Sequence, residues 1–181
     1  FDFFTFCSKE KILSPLTYKT LNSFKTGLKA GKLSFPVIVK SRKGYGSMDF
    51  HVVSDISMLE TIFIEKKFII QQYIDGQEFG IDLFFNKSGK LESLYMKKKL
   101  LMRSGETDKA ITVKDKIIKK TILNLSQKFR FFGPCDVDVF VKEDKCFVME
   151  INPRFGGGYA LSHKAGANFL RKIVEMINDN N

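Results

Sequence analysis

Residues 135–158 read CDVDVFVKEDKCFVMEINPRFGGG, and this stretch decides how the rest of the chain is read. Two acids, Asp136 and Asp138, alternate with Val137 and Val139. A charged break, Glu143-Asp144-Lys145, precedes a second apolar run that ends in Glu150-Ile151-Asn152-Pro153-Arg154 and three glycines. Period-two alternation of Val, Ile and Phe predicts two strands joined by a hairpin.

Directly opposed residues of an antiparallel pair point to one face. A three-residue loop, Glu143 to Lys145, sets Lys142 against Cys146, Val141 against Phe147, Val139 against Met149 and Val137 against Ile151. That register places Asp138 opposite Glu150 and Asp136 opposite Asn152. A two-residue loop would instead pair Asp138 with Met149 and mix the two sets. Burial of one face selects the first register.

The polar face of such a hairpin carries three carboxylates and an amide. Clustered carboxylates repel one another and call for a cation. Hard oxygen donors of this kind suit Mg²⁺ or Mn²⁺, completed by water and phosphate. Arg154 could grip a phosphate in bidentate fashion. The competing reading is the solvated outer face of an ordinary hairpin.

The 181 residues fit one domain, of one lobe or two, and 44% hydrophobic content supplies a core. The net charge of +10 goes with a general richness in Lys, Ile, Asn and Phe rather than a focused patch, which weighs against a nucleic-acid partner. Three cysteines without CxxC spacing and no leader-like segment suggest a reducing cytoplasm. No apolar run approaches the ~20 residues of a membrane span.

Along the chain, Phe1 to Lys11 reads as the end of an amphipathic helix, and an opening inside an apolar segment suggests an excised fragment. A short extended piece at Leu16 to Tyr18 and a helix over Asn22 to Ala30 follow. Phe35 to Lys40 is a strand leading to Ser41-Arg42-Lys43-Gly44-Tyr45-Gly46-Ser47, whose backbone N–H groups could cradle a phosphate or simply turn into the next strand, Phe50 to Val53. Asp55 caps a helix to about Ile64. Strands are expected at Phe68 to Ile74, Glu78 to Phe85 and Leu91 to Met96. Lys97-Lys98-Lys99 reads as a solvated charge run, although Lys97 and Lys99 share a face and one could reach a phosphate. Met102 to Lys109 reads as a polar loop, Lys114 to Phe129 as an amphipathic helix, and two short helices close the chain. His51 and His163 read as structural or surface residues.

Four pieces in this order, FPVIVK, the glycine-bearing tip, IIQQYIDGQEF and MEINPRFGGG, resemble the ATP-grasp superfamily, with the nearest likeness to carbamoyl-phosphate-synthase-like members and ATP-dependent carboxylate–amine ligases. RSGETDKAITVKD and NPRFGGGYALSHKAGANF share the likeness. It implies an α+β ATP-grasp fold over residues 1–181, with a lid lobe at about 14–73, a larger lobe at about 74–181 and a nucleotide site between them. It implies that Lys40 contacts the phosphates of ATP and that Gly44, Tyr45, Gly46 and Ser47 cover them. Gln71, Gln72, Tyr73 and Ile74 would line the adenine, and Glu78 would bind the ribose. Asp138, Glu150 and Asn152 would hold Mg²⁺ or Mn²⁺, with Asp136 a spare acid. Arg154 would steady the transferred phosphoryl group, and Arg103, Glu106 and Gly156 to Gly158 would face the acceptor.

The implied reaction activates a small-molecule carboxylate as an acyl phosphate for attack by an amine. The same features fit a nucleotide- or partner-binding fragment without turnover. Gln71 departs from the acid of many relatives, and Asp138 stands where some carry Glu or Gln. Relatives also have a preceding α/β domain and a first phosphate-binding Lys or Arg, both expected upstream of Phe1.

Overall fold

The computed structural model describes residues 2–42, 49–103 and 105–178, without the side chain of Glu106. Gly44, Tyr45, Gly46 and Ser47, expected to cover the phosphates, lie outside the described residues. The chain divides into two compact units, Phe1–Asp75 and Gly76–Asn181. The class is α+β, with two antiparallel sheets and helices.

The first unit contains α1 (Asp2–Lys9), β1 (Thr17–Tyr18), α2 (Leu21–Lys29), β2 (Val37–Ser41), β3 (Phe50–Val53), α3 (Ile56–Ile62) and β4 (Phe68–Gln72). Its sheet runs β1-β4-β2-β3. Both α2 and α3 start where the sequence offers a capping oxygen: Thr20 accepts from the Ser23 N–H and Asp55 from the Met58 N–H, each satisfying one orphan donor of the first turn. Phe24 and Leu59 from these helices pack on Val37, Val39, Val53, Phe68 and Ile70, one face of the sheet. Alternation turns Ile38, Lys40, Ile69 and Gln71 to the opposite face, because Ile38 pairs with Gln71 and Lys40 with Ile69.

The second unit contains β5 (Gln77–Phe85), β6 (Leu91–Arg103), β7 (Glu106–Val113), α4 (Lys116–Ser126), β8 (Gly133–Lys142), β9 (Lys145–Asn152), α5 (Tyr159–Lys164) and α6 (Phe169–Asn178). The sheet order is β7-β6-β5-β8-β9. Ile118, Ile122 and Leu125 of α4 are buried, as are Ile81, Leu83, Val137, Val139 and Val148 of the strands. On the opposite face Phe84 packs with Phe169 and Ala167, flanked by Tyr95, Phe155 and Tyr159.

Two expectations are corrected here. The segment read as a polar loop, Met102 to Lys109, is strand up to Arg103 and again from Glu106, and Arg103 pairs with Glu106. β6 therefore runs to Arg103, and Lys97 to Lys99 lie inside a strand; Lys97 is 3% exposed rather than solvated. The hairpin β8–β9 also turns more tightly than expected. Lys142 pairs with Lys145 across a two-residue turn, and both Glu143 and Asp144 have positive φ, 47° and 59°. Val141 thus faces Cys146 and Val139 faces Val148, not Phe147 and Met149. A bulge between Asp138 and Val139 absorbs one residue of β9, and beyond it Asp138 faces Glu150, Val137 faces Ile151 and Asp136 faces Asn152, as burial demands.

Candidate functional site

Four neighbouring strands of the larger sheet place charged side chains on a single face. Registers put Gly80 beside Lys97 and Asp138, and Asp82 beside Tyr95 and Asp136. Period-two alternation adds Glu78 and Lys99 above them, and Glu150 and Asn152 across β9. The face thus collects five acids, two lysines and an amide.

Charge compensation within it follows two tiers. Lower on the sheet, Lys97 pairs with Asp82, and Ser162 of α5 donates to the same Asp82 oxygen. Higher, the Lys99 ammonium lies 2.6 Å from Glu78 Oε1 and 2.7 Å from Asp138 Oδ1. Burial works against a charged Lys99, but Asp138 and Glu78 outweigh it and raise its pKa above the usual lysine value. Burial pushes Asp138 up; the Lys99 ammonium pulls the other way, while the charges of Glu150 and Glu78 add to the rise. Asp136 is pushed up to about 7 by burial and by Asp138 and Asp82, partly offset by Lys97 and Lys99. A further cation on this face would relieve those repulsions.

The predicted metal trio, Asp138, Glu150 and Asn152, shares this face. Asn152 Nδ2 donates to Glu150 Oε1 at 2.9 Å, which leaves the Asn152 carbonyl oxygen as an available hard donor. Among the described residues no group of three His, Cys, Asp or Glu forms a ready cation cage; the trio is two carboxylates and an amide. Its donors suit a hard cation, and Asp138 meanwhile shares the Lys99 ammonium.

Arg154 follows β9 at once. Its guanidinium donates to the Phe155 carbonyl at 2.8 Å and stands 3.8 Å from Asp136 Oδ2, with more than half of the side chain exposed. The glycines beyond it fit under the charged tiers. A Cβ on Gly156 would stand 2.5 Å from Asp136 Oδ1, and one on Gly158 would stand 3.3 Å from Lys97 Nζ. Arg103 sits elsewhere, at the tip of the β6–β7 hairpin, paired with Asp108 at 3.1 Å and largely exposed. Glu106 opposes it in the ladder.

In the first unit Lys40 and Gln71 share the face turned away from the apolar core. Thr17 donates its hydroxyl to the Pro15 carbonyl at 3.0 Å, so it can only accept from Gln71, whose Nε2 donates to it at 3.0 Å. That fixes the amide, and Gln71 Oε1 is buried without a hydrogen-bond partner among the described residues. Gln72 is engaged with β1: its N–H donates to the Leu16 carbonyl and its Oε1 accepts from the Leu16 N–H. β4 ends at Gln72, so Tyr73, 40% exposed, and buried Ile74 lie past the strand. Of the two histidines, His51 is exposed on β3 and His163 lies 3.3 Å from the Tyr159 hydroxyl.

Asp82, Lys97 and Ser162 were not singled out as partners by sequence reasoning. Only the alternation of EFGIDLFF hinted that Glu78 and Asp82 share a face. Among the described residues no helix is long and apolar enough to cross a membrane.

Comparisons with known proteins bear on the family and the fold. The family model described as ATP-grasp domain matches residues 12–158. D-alanine–D-alanine ligase of Bacillus anthracis is 29% identical over 164 residues, covering 81% of this chain and 54% of the relative. Tyramine–L-glutamate ligase of Methanocaldococcus jannaschii is 29% identical over 94 residues, covering 50% of this chain and 30% of the relative. The chain thus spans about half the length, or less, of these curated relatives. Among solved structures, biotin carboxylase of Campylobacter jejuni superposes with a TM-score of 0.72 at 15% identity, over 95% of this chain and 44% of the other. D-alanine–D-alanine ligase of B. anthracis superposes with a TM-score of 0.63 at 23% identity, over 95% of this chain and 64% of the other. With the family model spanning most of its length, this chain belongs to the ATP-grasp family.

Proposed function

We propose that this chain is the nucleotide- and metal-binding part of an ATP-dependent ligase that joins a carboxylate to an amine. The observation that carries the reading is the opposition of Asp138 and Glu150 across β8–β9, with Asn152 and Arg154 directly after them. The ligase names of the curated relatives support the reaction class.

Asp138, Glu150 and Asn152 would hold Mg²⁺ or Mn²⁺, which supplies charge neutralisation at the phosphates of ATP. Lys40 would contact those phosphates. Glu78 would accept from ribose hydroxyls. Gln71 Oε1, a buried acceptor without a hydrogen-bond donor among the described residues, suits an amino N–H such as that of adenine. The carboxylate oxygen of the acceptor attacks the γ-phosphorus and ADP leaves. The amine nitrogen then attacks the acyl carbon, the C–O bond to phosphate breaks, and the nitrogen loses a proton. Arg154, largely exposed at the end of β9, would hold the transferred phosphoryl group by paired N–H donors. The protein contributes position and charge rather than a covalent step.

The test is phosphate release from Mg·ATP by this chain across a panel of amino acids, beside thermal stabilisation by Mg·ATP alone. Release that requires both an acid and an amine is the expected result. Stabilisation without release would make it a binding fragment, and the absence of both would refute the reading.

A further inference from the structure

Lys97 and Lys99 are two residues apart on one strand face, yet they are held in different ways. Lys97 is locked: Asp82 and, through it, Ser162 enclose it, and its side chain is 4% exposed. Lys99 is nearly as buried, with 8% of its side chain exposed, but it is shared between two carboxylates rather than locked on one. Its ammonium crosses β5 and bridges Glu78 to Asp138, which belongs to β8, the strand beyond. The route is open because Gly80 lies between them. A Cβ there would stand 3.3 Å from Lys99 Cε and 3.7 Å from Asp138 Oδ1. Gly80 has no positive φ to explain it; the glycine provides space for the lysine stem.

We propose that Lys99 is a built-in counter-cation, and that Asp138 becomes available to a divalent ion only when nucleotide phosphates draw this ammonium away. The inference rests on the reading of Asp138 and Glu150 as a cation seat. An ammonium 2.7 Å from Asp138 Oδ1 and a divalent ion on the same carboxylate repel at close range. Lysine suits the exchange. Its charge is a point on a flexible four-carbon stem, able to leave a carboxylate for a phosphate without a change of backbone. Phosphate oxygens would offer Lys99 new partners, and the carboxylates it leaves need new compensation. Cation and nucleotide would therefore bind with positive coupling, each strengthening the other by the same factor.

The experiment measures protein-retained Mn²⁺ by ultrafiltration of the full chain, with and without a nonhydrolysable ATP analogue, for wild type, Lys99→Met and Lys99→Arg. In the wild type and in Lys99→Arg, Mn²⁺ alone should bind at least tenfold more weakly than with the analogue. In Lys99→Met, Mn²⁺ alone should bind at least tenfold tighter than in wild type, and its coupling to nucleotide should shrink. Equal Mn²⁺ affinity in wild type with and without nucleotide overturns the role of Lys99 while leaving the cation seat standing, and needs no variant. So does Lys99→Met that folds, by its thermal transition, and binds Mn²⁺ alone as weakly as wild type. Absence of retained Mn²⁺ in the wild type even with the analogue overturns the seat itself and this inference with it.

Discussion

Lys97 and Asp82 form an ion pair from which solvent is almost wholly excluded, with 4% and 2% of their side chains exposed. Removing one member strands the other charge in the sheet. Lys97→Met or Asp82→Asn alone is expected to cost about 3–5 kcal/mol. The triple variant Lys97→Met/Asp82→Leu/Ser162→Ala should recover most of that loss, since it also removes the buried Ser162 hydroxyl that donates to Asp82. Urea midpoints at unchanged m report the difference. Single-variant costs below about 1 kcal/mol would mean that water reaches the pair.

The β8–β9 turn gives a second prediction. Glu143 and Asp144 both sit at positive φ, a backbone region that costs ordinary L-residues roughly 1–2 kcal/mol each. Asn-Gly is the pair such a two-residue turn prefers. Glu143→Asn/Asp144→Gly should therefore raise stability by about 1 kcal/mol, read by chemical denaturation. A lower midpoint would show that Glu143 or Asp144 makes a contact that matters more than backbone strain.

This turn also marks where sequence stops being legible. Alternation identified the acid face correctly, because burying Val137 and Ile151 requires Asp138 opposite Glu150. It misread the tip, because a bulge moves one residue out of register and alternation cannot see an insertion that the core tolerates. β7 was missed for a related reason. It is an edge strand, paired on one side only by β6, and SGETDKAITV needs no apolar face to be held there. Lys97 was taken for a solvated charge because its partner Asp82 is fifteen residues away and only the ladder brings them together.

The thiols allow a prediction with a definite pH window. Burial pushes Cys7 and Cys146 up to about 11 and Cys135 up to about 12, against an ordinary value of 9.0. The folded chain therefore holds these protons more tightly than the unfolded one. The stability tied to the neutral thiols is complete below about pH 9 and falls as pH rises through 9 towards 11–12. At pH 8 none of the three should react with a disulfide reagent in the native state, and all three should react in denaturant. Rapid native labelling of any one would show its burial to be transient.

The cation seat gives the last prediction, and it separates function from folding. Glu150 is exposed and, among the described residues, accepts a side-chain hydrogen bond from Asn152. Glu150→Ala should then leave the denaturation midpoint within about 0.5 kcal/mol of wild type, as for other surface changes. Mg·ATP should behave differently. A ligand of Kd about 10 μM at 1 mM stabilises a folded protein by roughly 2.7 kcal/mol, and the variant should lose most of this. Lys40→Ala should lower ATP-induced stabilisation more than it lowers stability without ligand. If Glu150→Ala keeps the full ATP-induced shift, the carboxylates of β8 and β9 serve the sheet and not a bound cation.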